Sequence, residues 1–213
     1  MDGIKQSGSS GYNREEHLFR LAVITLPSFF DGEADHLEGM LAAGLPKLHI
    51  RKPGGEEKGI ERLLDRLHSR WAQRLVLHGD PSLAERYGIP QIHCTMQAWK
   101  EGAAARGLVS ASFHSWQGVI ELGAGLEYAF LSPLFDSISK PGYLAGPGLL
   151  KKPAGSLPCK IMGLGGIDKD TVLAVVDNGW DGAVLLGWIW EDPNTAVKRY
   201  EEIQRIIDKH GKQ

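Results

Sequence analysis

The chain has 213 residues, a formal net charge of −2, 42% hydrophobic residues and 23% charged residues. This length fits one domain or a small pair, and the hydrophobic fraction is sufficient for a buried core. The near-neutral charge and the lack of any run of roughly 20 apolar residues argue against nucleic acid and membranes as partners.

The N-terminal segment differs in composition from the rest of the chain. Residues 1–17 are polar, rich in glycine and serine, and without an apolar run, so we predict a short disordered or loosely attached arm instead of a signal peptide. Residues 18–213 are predicted to form one domain. Cys94 and Cys159 lie far apart without metal-ligand spacing, which favours buried thiols in a reducing compartment and a cytoplasmic location.

Eight short apolar runs alternate with longer helical patterns. Each run has four to six residues with little polar alternation, which is typical of strands buried on both faces. The runs cover residues 21–26, 47–50, 75–78, 91–94, 108–112, 128–132, 160–164 and 182–186. Eight strands alternating with helices predict an α/β fold, a TIM (βα)8 barrel. The alternative is a doubly wound open sheet, which usually has five or six strands.

Three helices can be predicted from side-chain spacing. The helix predicted over 56–70 has one apolar face, formed by Ile60, Leu63, Leu64 and Leu67. The helix predicted over 196–210 has a similar face, formed by Tyr200, Ile203, Ile206 and Ile207. A helix over 171–176 has Asp168 as its N-cap, and Asn178-Gly179 supplies the left-handed residues that end it. Residues 136–149 break the alternation and predict a long loop on the face where barrels keep their active sites.

Glycines follow the last two predicted strands, at Gly165-Gly166 and at Gly187. Glycine lets backbone N–H groups approach a ligand closely, and barrels commonly bind phosphate in these two loops. The alternative is that these glycines only make tight turns. Two glycine turns at the two expected strand ends favour a phosphate site.

Two further segments carry groups that suit an anion. In the loop after the sixth strand, Ser137 and Ser139 alternate and Lys140 follows, so hydroxyls and a cation can contact one phosphate. The alternative interpretation of this loop is a polar turn on the surface. Arg51 follows His49 at the end of the second strand and can form a bidentate pair with a pyrophosphate, or else an ion pair with a neighbouring carboxylate.

The order of these strand-end motifs resembles the thiamine phosphate synthase/TenI superfamily from Leu21 onward. The most specific segment is Ser132-Pro133-Leu134-Phe135-Asp136-Ser137-Ile138-Ser139-Lys140-Pro141-Gly142, which matches the family's G-P-I-F-x-T-x-T-K-P-G loop with serines for threonines. The resemblance implies a transferase that joins an aminopyrimidine methyl diphosphate to a thiazole phosphate and releases pyrophosphate. The enzyme's task would then be mainly electrostatic, with Mg²⁺ as cofactor.

The resemblance also implies roles for individual residues. Arg51 and Lys140 match the pyrophosphate-contacting cations, and Ser112 matches the serine that ends the fifth strand. Ser137 and Ser139 match the loop of the thiazole phosphate site, and Gly165 and Gly166 match its glycine turn. Gly187 is a candidate for phosphate binding from its position after the eighth strand alone. His49 stands where the synthases carry glutamine and can hydrogen-bond a pyrimidine ring, and His78 would belong to the same pocket.

The chain departs from the family pattern where magnesium is expected. The family's Asn-Asp-Arg at the end of the third strand is His78-Gly79-Asp80 here, so that glycine occupies the metal position, and Ala98 lies near the place of the second aspartate. Asp80 is the nearest candidate for a Mg²⁺ ligand, although it and His78 can equally form a structural pair. Thr95-Met96 replaces a glycine-glutamine pair, and Pro53 replaces a lysine beside Lys52.

Three functions therefore remain open. The first is a synthase with small phosphorylated thiazole and pyrimidine diphosphate substrates and a rebuilt pyrimidine pocket. The second is a TenI-type thiazole phosphate binder or tautomerase, in which His49, His78 or His114 would have to act as acid and base, because Pro133 occupies the usual histidine position. The third is a non-catalytic phosphate-binding regulator. A homo-oligomer is compatible with each.

Three remaining predictions concern side chains near the strand ends. His93 is expected to be a satisfied core histidine, and Ser115, next to His114, is expected to cap the following helix. Trp188 and Trp190 are expected to pack against the final helix instead of covering a ligand.

Overall fold

The structure is a computed structural model that describes residues 19–102, 108–136, 144–146 and 148–212. The arm predicted for residues 1–17 lies outside the described residues, and so do Ser137, Ser139 and Lys140.

Eight parallel strands form a closed ring in chain order, with the first strand pairing the eighth. The strands are β1 Arg20–Ile24, β2 Lys47–Ile50, β3 Leu75–His78, β4 Gln91–Thr95, β5 Leu108–Phe113, β6 Tyr128–Leu131, β7 Lys160–Leu164 and β8 Gly182–Leu185. This closed ring confirms the TIM barrel and excludes the open sheet. Each predicted run lies on one strand, with ends that differ by at most two residues.

The helices cover the outside of this ring. They are α1 Glu33–Ala42, α2 Glu57–Trp71, α3 Pro81–Arg86, α4 Met96–Lys100, α5 Trp116–Leu122, α6 Val172–Asp177 and α7 Ala196–His210, with 3₁₀ turns at Ala72–Arg74, Trp188–Trp190 and Pro193–Thr195. Between β6 and β7 the described residues form no helix, as the predicted long loop requires. Among the described residues, no helix is long and apolar enough to cross a membrane.

The predicted helix ends are mostly confirmed. The Asp168 carboxylate accepts hydrogen bonds from the N–H groups of Asp170 and Thr171, so it caps the turn that leads into α6. Gly179 has the left-handed φ of 71° expected after this helix. The prediction that Asn178 is also left-handed is wrong, because its φ is −84° and only the glycine is needed for the turn.

Two layers of apolar side chains stabilise the barrel. The larger lies between the strands and the helices, and it includes Trp188 and Trp190. The Trp190 indole N–H donates to the Ile24 carbonyl at 2.7 Å, and the Arg199 guanidinium of α7 lies over the Trp188 ring, which confirms that these tryptophans pack. The smaller layer fills part of the ring interior, with Ala22, Ile24, Tyr128, Phe130, Met162 and Val184. Both cysteines are free thiols.

Candidate functional site

A cavity of about 800 Å³ lies at the carboxyl ends of the strands. Its wall brings together six of the predicted site residues, which are Arg51, His78, Ser112, Gly165, Gly166 and Gly187. His49 is fully buried and contacts His78. This is the face of a TIM barrel on which ligands bind. Residues predicted at five different strand ends thus line one space.

Arg51 is held at the cavity rim by its backbone. Its N–H donates to the Thr25 hydroxyl at 3.0 Å, and that hydroxyl donates to the Arg51 carbonyl at 3.1 Å. The side chain of Arg51 is exposed and lines the cavity. Among the described residues no carboxylate lies within ion-pair distance of it, so the predicted alternative of a neighbouring ion pair is not found there. The guanidinium is therefore available to an anion.

Lys52 turns away from an anion-binding role. Its ammonium donates to the carbonyls of Leu26 and Ser28 at 2.9 Å each and to the Glu33 carboxylate at 2.5 Å. Both charged side chains are buried, and burial lowers the pKa of Lys52 and raises the pKa of Glu33 although each stabilises the charge of the other. All three ammonium protons are used, so Lys52 does not replace the pyrophosphate lysine that the sequence lacks at Pro53.

The turn after β7 needs both of its glycines. Gly165 and Gly166 have φ values of 101° and 64°. A Cβ on Gly166 would lie 2.3 Å from the Asp136 carbonyl oxygen, and one on Gly165 would lie 3.0 Å from Pro133. The turn therefore packs directly against the start of the loop after β6, and no side chain fits between them.

Both described ends of the loop after β6 are anchored beside this turn. The N–H groups of Leu134 and Phe135 donate to the carbonyls of Leu164 and Gly165 at 3.0 and 3.1 Å. At the far end, Ala145 N–H donates to the Asp136 carboxylate at 2.7 Å. The glycine turn and the two ends of the serine–lysine segment are thus adjacent, as the predicted anion site requires, while the serines and the lysine themselves lie outside the described residues.

Three histidines from adjacent strands meet at the cavity floor. The Nδ1 of His49 is 3.0 Å from the Nε2 of His78, and its Nε2 is 2.9 Å from the Tyr128 hydroxyl. His93 has Ser110 and Ser112 at 2.8 Å from its two ring nitrogens, which confirms that it is a hydrogen-bonded core histidine. His78 and His93 also stack, with ring centroids 4.3 Å apart.

These histidines are neutral at physiological pH. Burial lowers the pKa of His93 to about 3, with the nearby Arg51 charge adding to the effect. Burial also lowers the pKa of His49 and His78 well below 6.5, and the neighbouring imidazoles contribute to both shifts. A neutral imidazole has one donor nitrogen and one acceptor nitrogen, so each ring can donate one hydrogen bond and accept another.

His114 is the histidine that is most open to the cavity. Its Nδ1 lies 2.9 Å from the Ser132 carbonyl oxygen, which can only accept a hydrogen bond, so Nδ1 carries a proton. Nε2 has no hydrogen-bond partner among the described residues, so in the neutral ring its lone pair is available to a ligand. Next to it, the Ser115 hydroxyl accepts the Gly118 N–H and caps α5, as predicted.

The described cavity residues do not fit a magnesium ion. No carboxylate is among the described residues that line the cavity, and Mg²⁺ prefers carboxylate and phosphate oxygens. Gly79, at the expected metal position, has no side chain. One oxygen of Asp80 accepts the N–H groups of Ser82 and Leu83 at 3.0 Å each and so caps α3. Magnesium binding stays a prediction. Asp80 does have a structural role, but as the cap of α3; among the described residues no hydrogen bond joins it to His78, the partner that the sequence suggested.

Within the part of the chain that the structure describes, His49, His78 and His93 have potential ligand atoms within 4.8 Å of one another, close enough to consider a transition metal. A zinc site needs three lone pairs that converge on one point about 2 Å from each nitrogen. Here five of the six ring nitrogens already have hydrogen-bond partners, and the His78 and His93 rings lie nearly parallel, at 27°. The arrangement is that of a hydrogen-bonded cluster.

Sequence reasoning missed two polar side chains of this floor, Ser110 and Tyr128. Ser110 pairs in register with His93 on one side and with Tyr128 on the other. The sequence contained a signal for Ser110: it lies two residues before Ser112, and alternate residues of a strand point to the same face. Gln97, which also lines the cavity from α4, was missed as well.

The fold and the cavity define a class, a TIM barrel with an anion-compatible ligand site at the carboxyl ends of its strands. A family model described as thiamine monophosphate synthase matches residues 21–189. Since this match covers most of the chain, the protein belongs to the thiamine monophosphate synthase family.

Individual relatives agree with this family. A thiamine phosphate pyrophosphorylase from Bacteroides thetaiotaomicron is 25% identical, with a TM-score of 0.70 over 90% of this chain and 98% of that one. The fold is also that of a thiamine phosphate pyrophosphorylase from Pyrococcus furiosus, with a TM-score of 0.74 at 19% identity over 92% and 98% of the two chains. The thiamine biosynthesis bifunctional protein ThiED of Geobacter sulfurreducens is 29% identical over 44% of this chain, and the match spans one fifth, 20%, of that longer protein.

Proposed function

We propose that the protein is a thiamine phosphate synthase-like transferase that joins 4-amino-2-methyl-5-pyrimidinylmethyl diphosphate to thiazole phosphate and releases pyrophosphate. The observation that carries this proposal is the convergence of Arg51 with the glycine turn at Gly165-Gly166 and with Gly187 on one cavity. A diphosphate and a second phosphate both need such groups, and family membership supports the same reaction class.

In this reaction the chain's own residues act mainly by electrostatics and by position. The Arg51 guanidinium would stabilise the negative charge that develops on the departing pyrophosphate. The backbone of the glycine turn would hold the thiazole phosphate, and Ser112, on the cavity wall, would hydrogen-bond the pyrimidine or the pyrophosphate. By resemblance, Lys140 would add a second cation, and Ser137 and Ser139 would add hydroxyl donors.

Magnesium would neutralise the diphosphate if it binds, but no described cavity residue offers the carboxylates for it. A synthase without that ion would have to rely on Arg51 and on the predicted lysine. Magnesium dependence is therefore the property that separates a rebuilt synthase pocket from a different reaction.

A second candidate is a TenI-type thiazole phosphate binder or tautomerase. It is favoured by the neutral histidines of the cavity floor and by His114, whose Nε2 can accept a proton once Nδ1 is bound to the Ser132 carbonyl. Such a protein needs no metal. A non-catalytic phosphate-binding regulator would use the same anion site without turnover.

One incubation separates the three functions. Purified protein is mixed with the pyrimidine diphosphate and with either isomer of the thiazole phosphate, with and without Mg²⁺, and the products are followed by chromatography. Formation of thiamine phosphate supports the transferase, and interconversion of thiazole isomers without the pyrimidine supports the tautomerase. Binding by calorimetry with no turnover supports the regulator and contradicts the proposal.

The anion site is tested by Arg51→Met. Loss of one charge-assisted contact of about 1.5–3 kcal/mol predicts roughly ten- to a hundredfold weaker pyrophosphate binding in calorimetry. Arg62→Met, on the exposed surface of α2, is the matched control and should bind as the unaltered protein does. Equal affinity in both variants would contradict the role of Arg51. Lys140→Ala should reduce turnover strongly with the fold intact.

A further inference from the structure

Thr25 holds the backbone of Arg51 at the point where the pairing of β1 with β2 ends. The last main-chain hydrogen bond between them runs from the Thr25 N–H to the His49 carbonyl at 3.0 Å. In a regular parallel ladder the next bond would run from the Arg51 N–H to the Thr25 carbonyl. Here the Thr25 hydroxyl accepts the Arg51 N–H at 3.0 Å and donates its own proton to the Arg51 carbonyl at 3.1 Å. One side-chain oxygen therefore satisfies both backbone polar groups of Arg51.

This double contact restricts the direction in which the Arg51 side chain leaves the backbone. An oxygen bonded to the N–H and to the carbonyl of one residue limits the rotation of that backbone, and with it the direction of the Cα–Cβ bond. Thr25 is buried, and its branched Cβ restricts its own side-chain rotation, so the oxygen is itself held in place. Among the described residues, the hydrogen bonds of Arg51 are made by its backbone alone, so the backbone sets the region that the guanidinium reaches.

Lys52 joins the same two chain segments in the opposite direction. Its ammonium reaches back from the segment after β2 to the Leu26 and Ser28 carbonyls, which follow β1, at 2.9 Å each. It also contacts the carboxylate of Glu33, the first residue of α1. A buried ion pair is often no more stabilising than apolar side chains of similar volume. The contribution of this pair is therefore geometric, because it forms a second cross-link between the two segments.

Phe29 packs against these cross-links from the solvent side. Its ring centroid lies 4.6 Å from the Lys52 Nζ. The same ring contacts the first turn of α2 so closely that a Cβ on Gly59 would lie 2.6 Å from the Phe29 Cζ. The β1–α1 connection, the Arg51–Lys52 segment and the start of α2 therefore form one packed unit at the cavity rim.

The residues that hold Arg51 are set back from the ligand space. Arg51 and Lys52 line the cavity, whereas Thr25 and Glu33 are not among the described residues that do so. The three ammonium protons of Lys52 are already used by the two carbonyls and the carboxylate. An effect of Thr25 on an anion in the cavity must therefore act through Arg51.

We propose that Thr25 and the Lys52–Glu33 pair are positioning residues, which hold the Arg51 guanidinium where the diphosphate of the substrate binds. An arginine whose backbone is fixed loses less conformational freedom when it binds an anion, so these contacts increase the affinity. The β1–α1 connection thereby tunes diphosphate binding without contacting the ligand. This inference rests on the anion-binding role of Arg51 in the proposed function.

Calorimetry of the full chain with inorganic pyrophosphate tests the positioning role. Thr25→Val keeps the side-chain shape and removes the hydroxyl. If it removes about half of the free energy that Arg51 contributes, pyrophosphate binding should weaken roughly three- to tenfold. Thr25→Ser keeps the hydroxyl and should retain most of the affinity. Thr195→Val is the matched control, because the Thr195 hydroxyl also donates to a backbone carbonyl but lies outside the cavity wall.

The same substitution in an Arg51→Met protein separates positioning from general damage. Thr25→Val should cause no further loss there, because the side chain that it positions is gone. An equal loss with and without Arg51 would overturn the proposal, and so would a Thr25→Val protein that binds pyrophosphate as tightly as the unaltered one. If Arg51→Met itself leaves the affinity unchanged, the anion site of the proposed function is contradicted, and the positioning role fails with it.

Hydrogen exchange by NMR reads the cross-link directly, without a ligand. In Thr25→Val the Arg51 amide should exchange in D₂O at least roughly tenfold faster, while amides of the opposite strands keep their rates. An unchanged Arg51 rate would overturn the role of the hydroxyl. If Thr25→Val does not fold, the double variant Lys52→Met with Glu33→Met removes the other cross-link at constant net charge. Its pyrophosphate affinity, compared with and without Arg51→Met, is then subject to the same two outcomes.

Discussion

Replacing Lys52 by Met tests the buried ion pair beside the cavity. The methionine keeps most of the side-chain volume but removes the ammonium, which leaves the Glu33 carboxylate without its partner at 2% exposure. Breaking a buried pair on one side costs about 3–5 kcal/mol. We therefore expect the free energy of unfolding, measured with urea at pH 7, to fall by about that amount.

This loss should depend on pH in a defined direction. Burial already raises the pKa of Glu33 above 4.5, and loss of Lys52 raises the folded-state pKa further. A carboxyl with a raised folded-state pKa destabilises the folded protein as pH rises from its unfolded pKa through its folded one. The defect of the variant should therefore be smaller at pH 5 than at pH 7.

Two controls accompany this variant. Glu33→Met combined with Lys52→Met removes both charges, so most of the loss should be recovered, and about 2 kcal/mol should remain because the Leu26 and Ser28 carbonyls lose their donor. Lys58→Met, on the exposed face of α2, should change stability by less than about 0.5 kcal/mol. A loss below about 1 kcal/mol at pH 7, or an equal loss at both pH values, would refute the reasoning.

Two further predictions concern single positions. Gly166→Ala and its control Gly155→Ala both place alanine at a positive φ, but of these two positions only Gly166 has other atoms within 4 Å of the new Cβ. Gly166→Ala should therefore lower the free energy of unfolding in urea by about 1–3 kcal/mol more than Gly155→Ala does. Equal losses in the two variants would contradict the close approach at Gly166. Burial raises the pKa of Cys159 to about 11, so iodoacetamide should label this thiol at pH 8 at least about tenfold more slowly in the folded protein than in urea, as read by mass spectrometry. Equal rates in the two states would show that Cys159 is accessible.

Much of the fold could be predicted because the evidence for it is local. Strands buried on both faces are apolar at most positions, so eight short, mainly apolar runs mark eight strands of a closed parallel barrel. Gly165 and Gly166 could be placed for the same kind of reason, since a turn that approaches another backbone tolerates no Cβ. The resemblance in motif order added the family, which the family match confirms.

The direction of individual polar side chains could not be predicted from the sequence. Lys52 lies beside Arg51, yet its ammonium is used by the β1–α1 connection, and Asp80 caps α3 although its sequence position suggested a metal ligand. Both outcomes depend on which backbone groups come within 3 Å after folding, and neighbouring sequence does not contain that information.

The sequence by itself determined the number and order of the strands and the face on which a ligand site would form. Only the tertiary structure decided which polar groups meet there. His49 and Tyr128 are 79 residues apart and become hydrogen-bond partners because both point into the closed ring from strands on different sides. Register and closure of the barrel set that contact, and no local pattern in the chain encodes it.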